Sequence, residues 1–130
     1  MAGTVLASTI KHDVSGAATV FKDGAGTEIG QLCKAWINYT TPTTSSIQAS
    51  FNHSSITRNG TGDNTLTLTI AMVSAYFCAT GMGHRSNGSS NYDPNPVMAA
   101  STTNTYNIRT HDYNSDTASD SVWVCVAIHR

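Results

Sequence analysis

Residues 54–70 constrain this chain more than any other stretch. Leu66, Leu68 and Ile70 alternate with Thr65, Thr67 and Thr69, the period-2 signature of a strand with one apolar and one polar face. Ile56 upstream can meet the apolar face. Between them lie Asn59-Gly60 and Gly62-Asp63, residue types that tolerate positive φ where a chain reverses. The stretch is predicted to be a β-hairpin.

The rest of the chain repeats the theme. Residues 4–10 and 18–22 are expected as short strands, the second followed by a turn over residues 22–26. A longer strand is expected over 31–39, with Cys33, Ala35, Ile37 and Tyr39 on one face and Leu32, Lys34, Trp36 and Asn38 on the other. Further strands are predicted at 47–51, 73–80, 102–109 and 121–128. No stretch of ten or more residues shows a 3.6-residue apolar period, and only residues 96–100 could make a helical turn. The expectation is an all-β fold, an antiparallel β-sandwich of jelly-roll or Ig-like type over residues 31–130, with an extended N-terminal arm over residues 1–30. The expected core is Trp36, Ile37, Ile47, Phe51, Ile56, Leu66, Leu68, Ile70, Phe77, Ile108, Val124 and Val126. In the final strand Val122, Val124, Val126 and Ile128 share one face and Trp123, Cys125 and Ala127 the other. Both sides must leave water, so a loop or a neighbouring subunit is required to cover the second.

At 130 residues the chain has the length of one domain plus an arm. Charged residues make up only 12% and the net charge is −1, which leaves no electrostatic footprint for nucleic acid. No apolar run is long enough to span a bilayer. Residues 1–4 lack the start of a signal peptide, so synthesis and retention in a cytosol are expected. Cys33, Cys78 and Cys125 lie in apolar runs, and an odd number cannot pair completely. They are expected as buried free thiols, the alternatives being a three-cysteine metal site or one thiol per subunit on a symmetry axis.

Asn59-Gly60-Thr61-Gly62-Asp63 with its alternating strand and Ala71-Met72, preceded by Ala35-Trp36-Ile37-Asn38-Tyr39 and by Ile47-Gln48-Ala49-Ser50-Phe51-Asn52, resembles a domain recurrent in tail-fibre and other appendage proteins of tailed bacteriophages. The resemblance covers residues 33–77. Val73 stands where that family carries a proline, and Tyr76-Phe77 supply its aromatics. It implies a virion protein assembled in the host bacterial cytoplasm, a homotrimer in contact with other virion proteins. Its task would be host attachment as a tail fibre or fibre tip. The rival is a structural virion protein such as a head fibre, capsid decoration protein or tail adaptor, favoured by the lack of a long shaft in a chain read as starting at Met1.

Candidate sites follow from loops and from the arm. Residues 81–96 read as the longest irregular segment, and such loops are commonly functional. Within it His84, Arg85, Asn87, Asn91, Tyr92 and Asp93 offer donors, acceptors and a ring for a host-surface glycan or protein. In the arm, Val5, Leu6, Ile10, Val20 and Phe21 are the expected buried anchors for virion docking, too few to order thirty glycine-interrupted residues unaided. Folding back as an edge strand is the alternative. The five histidines lack metal-binding spacing, and residues 112–116 read as a turn. The carboxylates lie in predicted turns or the arm, and no nucleophile elbow or phosphate loop is present. No enzymatic activity, metal or cofactor is expected.

Overall fold

The computed structural model describes residues 20–84, 95–112 and 117–129. The chain divides into two compact units, Met1–Leu32 and Cys33–Arg130. Of the first, the described part is a hairpin of β1 (Val20–Lys22) and β2 (Glu28–Gln31). Its turn is closed by Asp23, whose Oδ1 accepts the backbone N–H groups of Ala25 and Thr27 at 2.9 and 2.8 Å. Gly26 takes the positive φ that the reversal needs. β2 was not expected, and Phe21, Ile29 and Leu32 of this unit are exposed. Residues 4–10, with the arm anchors Val5, Leu6 and Ile10, lie outside the described residues.

The second unit contains β3 (Ala35–Thr40), β4 (Ser46–Phe51), β5 (His53–Gly60), β6 (Asp63–Leu68), β7 (Cys78–His84), β8 (Asn95–Ser101), β9 (Thr105–His111) and β10 (Trp123–His129). They form two four-stranded sheets, ordered β4-β3-β10-β7 and β5-β6-β9-β8, with every pair antiparallel. The described residues contain no helix. The all-β, antiparallel expectation is met.

The central hairpin forms with a tighter turn than its glycines imply. Gly60 pairs with Asp63, leaving Thr61-Gly62 as the loop. Gly62 alone takes a left-handed φ, and a Cβ there would lie 2.5 Å from the Thr110 carbonyl oxygen. Thr110 N–H and Gly62 C=O bond at 2.8 Å, so the hairpin turn is stitched to β9. Asp120 completes the clasp, accepting from Gly62 N–H and Arg58, each at 2.8 Å.

Ala35, Ile37 and Tyr39 on β3 face Val124, Val126 and Ile128 on β10 across one sheet. Leu66, Leu68, Tyr106 and Ile108 come from the other. With Met72 and Phe77 they make one buried core. Phe77 meets the Tyr106 ring edge-to-face with centroids 5.8 Å apart, a favoured aromatic geometry. The corner between β4 and β5 is made by Asn52, a residue type that tolerates the left-handed φ of 59° found there. Its side chain accepts Ile70 N–H at 2.7 Å and donates to Lys34 C=O at 3.2 Å.

Several expectations are corrected. Trp36, Phe51 and Ile70 are exposed, whereas Ile47 and Ile56 are partly buried and pack against the core as expected. Trp36 shares its strand with Ala35 and Ile37, so pleating sends it outward when they point in. Phe51 is its cross-strand partner, and Ile70 lies beyond the end of β6. The strand expected over 31–39 is broken at residues 32–34. The helical turn at 96–100 is instead β8, whose Met98 opposes Ile108, and sheet pairing overrides local preference. The strand expected over 73–80 starts at Cys78 and continues through His84, taking in the first residues of the predicted loop. Cys78 and Cys125 are exposed and Cys33 half-buried, because β7 and β10 turn their cysteines away from the core.

Candidate interaction face

Pairing of β4, β3, β10 and β7 fixes which outward side chains are neighbours. One row reads Phe51, Trp36, Ala127, Thr80 across the sheet; the next reads Ala49, Asn38, Cys125, Met82; Trp123 then stands opposite His84. Phe51, Trp36, Met82 and Trp123 are 54%, 42%, 75% and 56% exposed. If large side chains bury roughly 150–250 Å² each when covered, these four leave about 450 Å² of apolar side chain open. That lies within the range of the largest apolar patches on monomeric proteins, about 300–600 Å², which are often functional. No Asp, Glu, Lys or Arg occupies any position in these rows.

The outward side of β5, β6 and β9 has the opposite chemistry. Asn59 donates to Asp63 and to Thr65, both at 2.9 Å. Arg109 Nε meets Asp63 Oδ2 at 3.1 Å, and Thr65 reaches Asn107 at 3.4 Å. The Asn59 amide first, and then the Arg109 guanidinium, hold the Asp63 carboxyl below the usual carboxylate range against an opposing effect of burial. Thr57 and Thr67 extend this polar surface. Alternation along β6 and β9 turns Leu66, Leu68, Tyr106 and Ile108 inward, with Asn64 and Thr110 buried beside them, and polar side chains outward, whereas β10 carries apolar residues on both sides.

His53 ties the two sheets together. Its ring meets Phe51 C=O through Nδ1 at 3.1 Å and the Tyr106 hydroxyl through Nε2 at 2.6 Å. These partners fit a neutral ring that donates from Nδ1 and accepts the Tyr106 O–H at Nε2. Burial lowers the His53 pKa and raises those of Tyr39 and Tyr106, so all three stay uncharged near neutrality. Elsewhere in the core Thr41 Oγ1 donates to Ser121 C=O and accepts Ser121 N–H, both at 2.7 Å.

Of the predicted receptor residues, His84 is described: it ends β7, exposed and opposite Trp123. Arg85, Asn87, Asn91, Tyr92 and Asp93 lie outside the described residues. Either side of residues 113–116, His111 bridges Ala118 and Asp112 N–H bonds Thr117 C=O at 2.9 Å. Among the described residues no group of three or more His, Cys, Asp or Glu side chains converges as a metal site would need. The face itself was half visible in the sequence. The double-sided apolar pattern of the last strand marks Trp123 and Cys125, but Trp36 and Phe51 read as core and Met82 as loop.

No protein-family model, curated protein or solved structure matches this chain.

Proposed function

We propose that this chain is a bacteriophage virion appendage protein, of tail-fibre or fibre-tip type, that works as a homo-oligomer, most simply the trimer that the resemblance implies. We read its two sheets as the layers of an antiparallel β-sandwich. The observation that carries the proposal is the strand of Ala35-Trp36-Ile37-Asn38-Tyr39. The residues that bear the resemblance to phage appendage domains bury Ala35, Ile37 and Tyr39 completely and raise Trp36 onto an uncharged apolar face of the kind that subunit packing covers. In this reading residues 1–30 dock on other virion proteins, and the segment around His84 to Asp93 meets a host-surface glycan or protein. The virion is its location, with assembly in the bacterial cytoplasm.

A structural virion role, as a head fibre, capsid decoration protein or tail adaptor, is the second reading. The same face favours it, because a covered sheet speaks for packing between subunits without requiring a receptor.

Immunogold labelling of particles purified from a lysate that contains the protein tests both. Label at the tail tip supports the appendage, label over the head shell supports the decoration protein, and particles without label end both readings. Two deletions then assign the parts. Removing residues 86–90 is expected to leave the fold intact and abolish adsorption to cells; unchanged adsorption removes the receptor role. Truncating residues 2–29 is expected to give a folded protein that no longer enters particles, whereas normal incorporation ends the docking role of the arm.

A further inference from the structure

We propose that the outer face of the β4-β3-β10-β7 sheet is the surface through which copies of this chain pack on one another, with Trp36, Phe51, Met82 and Trp123 around Cys125. The inference deepens the homo-oligomer of the preceding section and rests on that part of the reading alone. Three observations lead to it.

The first is extent. The four large side chains lie in adjacent cross-strand positions, and Ala49, Cys125 and Ala127 fill the spaces between them. The roughly 450 Å² of apolar side chain, with the polar margin of Asn38, Thr80 and His84, supplies more than half of the roughly 800 Å² per partner that a specific protein interface buries. Aromatic residues and Met are the types enriched in such interfaces.

The second is charge. A face that meets its own copy must avoid opposing like charges, and these rows contain no Asp, Glu, Lys or Arg. An interface with a different protein is commonly registered by complementary charges, and these rows hold no carboxylate, lysine or arginine to supply them. Apolar rows without charge are complementary to themselves.

The third is the contrast within one domain. The opposite sheet is built from the same kind of pleated alternation, yet its outer face is a hydrogen-bonded array around Asp63. On β5, β6 and β9 the outward side chains are thus mostly polar, where those of the facing sheet's rows are mostly apolar. Cyclic assemblies repeat one surface around an axis, and an axis through the centre of these rows would bring Cys125, which lies between Trp123 and Ala127 on the central strand β10, near its own copies.

Sedimentation velocity of the full chain in reducing buffer, over the micromolar range, tests the proposal. The expected result is a mass of two or more copies. Trp123→Lys, and separately Met82→Lys on the edge strand, should each shift the mass to that of one copy while the strand-type circular dichroism is retained. Thr65→Lys on the opposite sheet should leave the assembly intact. Independently, a Cys33→Ser/Cys78→Ser chain that keeps Cys125 should form a covalent dimer with diamide, and Trp123→Lys should abolish it. A single-copy mass for the unmodified chain overturns the proposal, as does an assembly that survives both face lysines and is lost with Thr65→Lys. If Trp123→Lys does not fold, the Met82 variant and the Cys125 cross-link decide. A single-copy mass together with gold-labelled particles would sink this inference and leave the virion reading standing; unlabelled particles together with a multi-copy mass would do the reverse.

Discussion

The outward rows of β4, β3, β10 and β7 and the outward side of β5, β6 and β9 have opposite chemistries. Around Asp63 the side chains satisfy one another: Asn59, Thr65, Asn107 and Arg109 form a connected array that water can border without cost. Around Cys125 the side chains have little to offer water, and their stabilisation requires contact with other apolar atoms. Both faces lie over the same core and belong to strands of similar length. The difference teaches that a sheet's inner face reports on folding, while its outer face reports on what the folded protein meets.

A core substitution should be the largest perturbation and the least selective between the faces. Leu66 is fully buried, and Leu66→Ala is expected to cost about 2–5 kcal/mol from lost burial and the cavity left behind. Urea unfolding of the single-copy form gives the value; a change near zero would mean that the sheets do not share this core. At the tip of the polar sheet, Gly62→Ala should cost about 1–3 kcal/mol for its left-handed φ alone. The approach to Thr110 O and to Ser119 N at 2.5 and 2.8 Å adds to that. Thr41→Val, beneath both faces, removes the paired hydroxyl contacts with Ser121 and should cost about 1–3 kcal/mol. Midpoints equal to wild type would show that Ser121 finds other partners.

On the faces themselves the expected stability changes are small and the difference lies in association. Arg109→Ala breaks an ion pair whose arginine is half exposed, so it should cost no more than about 1 kcal/mol and leave the oligomeric state alone. Met82→Lys, measured in the single-copy form, should stay within about 0.5 kcal/mol while it prevents assembly. If both variants behaved alike in sedimentation, the contrast between the faces would carry no functional meaning.

The smallest effects are those of pH, and two groups set their sign. The Asp63 pKa is lowered on folding, so its contribution is present above the unfolded value of about 3.9 and is lost as pH falls through the lower folded value. Asp63→Asn should flatten this acid limb. The His53 pKa is also lowered, here by burial, so the unfolded chain takes up the proton first. Stability should therefore fall as pH drops below about 6.5 and level off only beneath the folded pKa. Unfolding midpoints followed from about pH 7 to pH 5 should show this slope in the wild type, and His53→Gln should remove it.

The strands of the central hairpin were readable because Leu66 and Leu68 alternate with threonines, so period and polarity point the same way. The final strand was readable as buried for the same reason, through Val124, Val126 and Ile128. Around β7 the signal failed: Gly81-Met82-Gly83-His84 has the composition of a loop, yet Gly83 and Gly81 lie opposite Val124 and Val126, where glycine is accommodated in an edge strand by pairing that local sequence does not encode. β8 was missed for a related reason, since Pro96 at its start and Ala99-Ala100 in its body carry no strand preference without β9 beside them. In the candidate face, residues from four strands meet only after pairing, and no local pattern joins Phe51 to Met82.

By itself the sequence determined that this chain would make antiparallel strands, where its central hairpin turns, and that β10 carries apolar residues on both sides. Only the tertiary structure decided which side faces in. On β3 the choice lay between Ala35, Ile37 and Tyr39 and a face led by Trp36. Pleating makes that choice collective, because a shift of one residue reverses every side chain of the strand. The Ala35, Ile37, Tyr39 face matches Ile128, Val126 and Val124 position by position and packs with Leu66 and Tyr106 in one core, and Trp36 was left outside beside Phe51 and Ala127 as a consequence. Close packing of the interior fixed the inner surface, and the apolar outer surface follows from it.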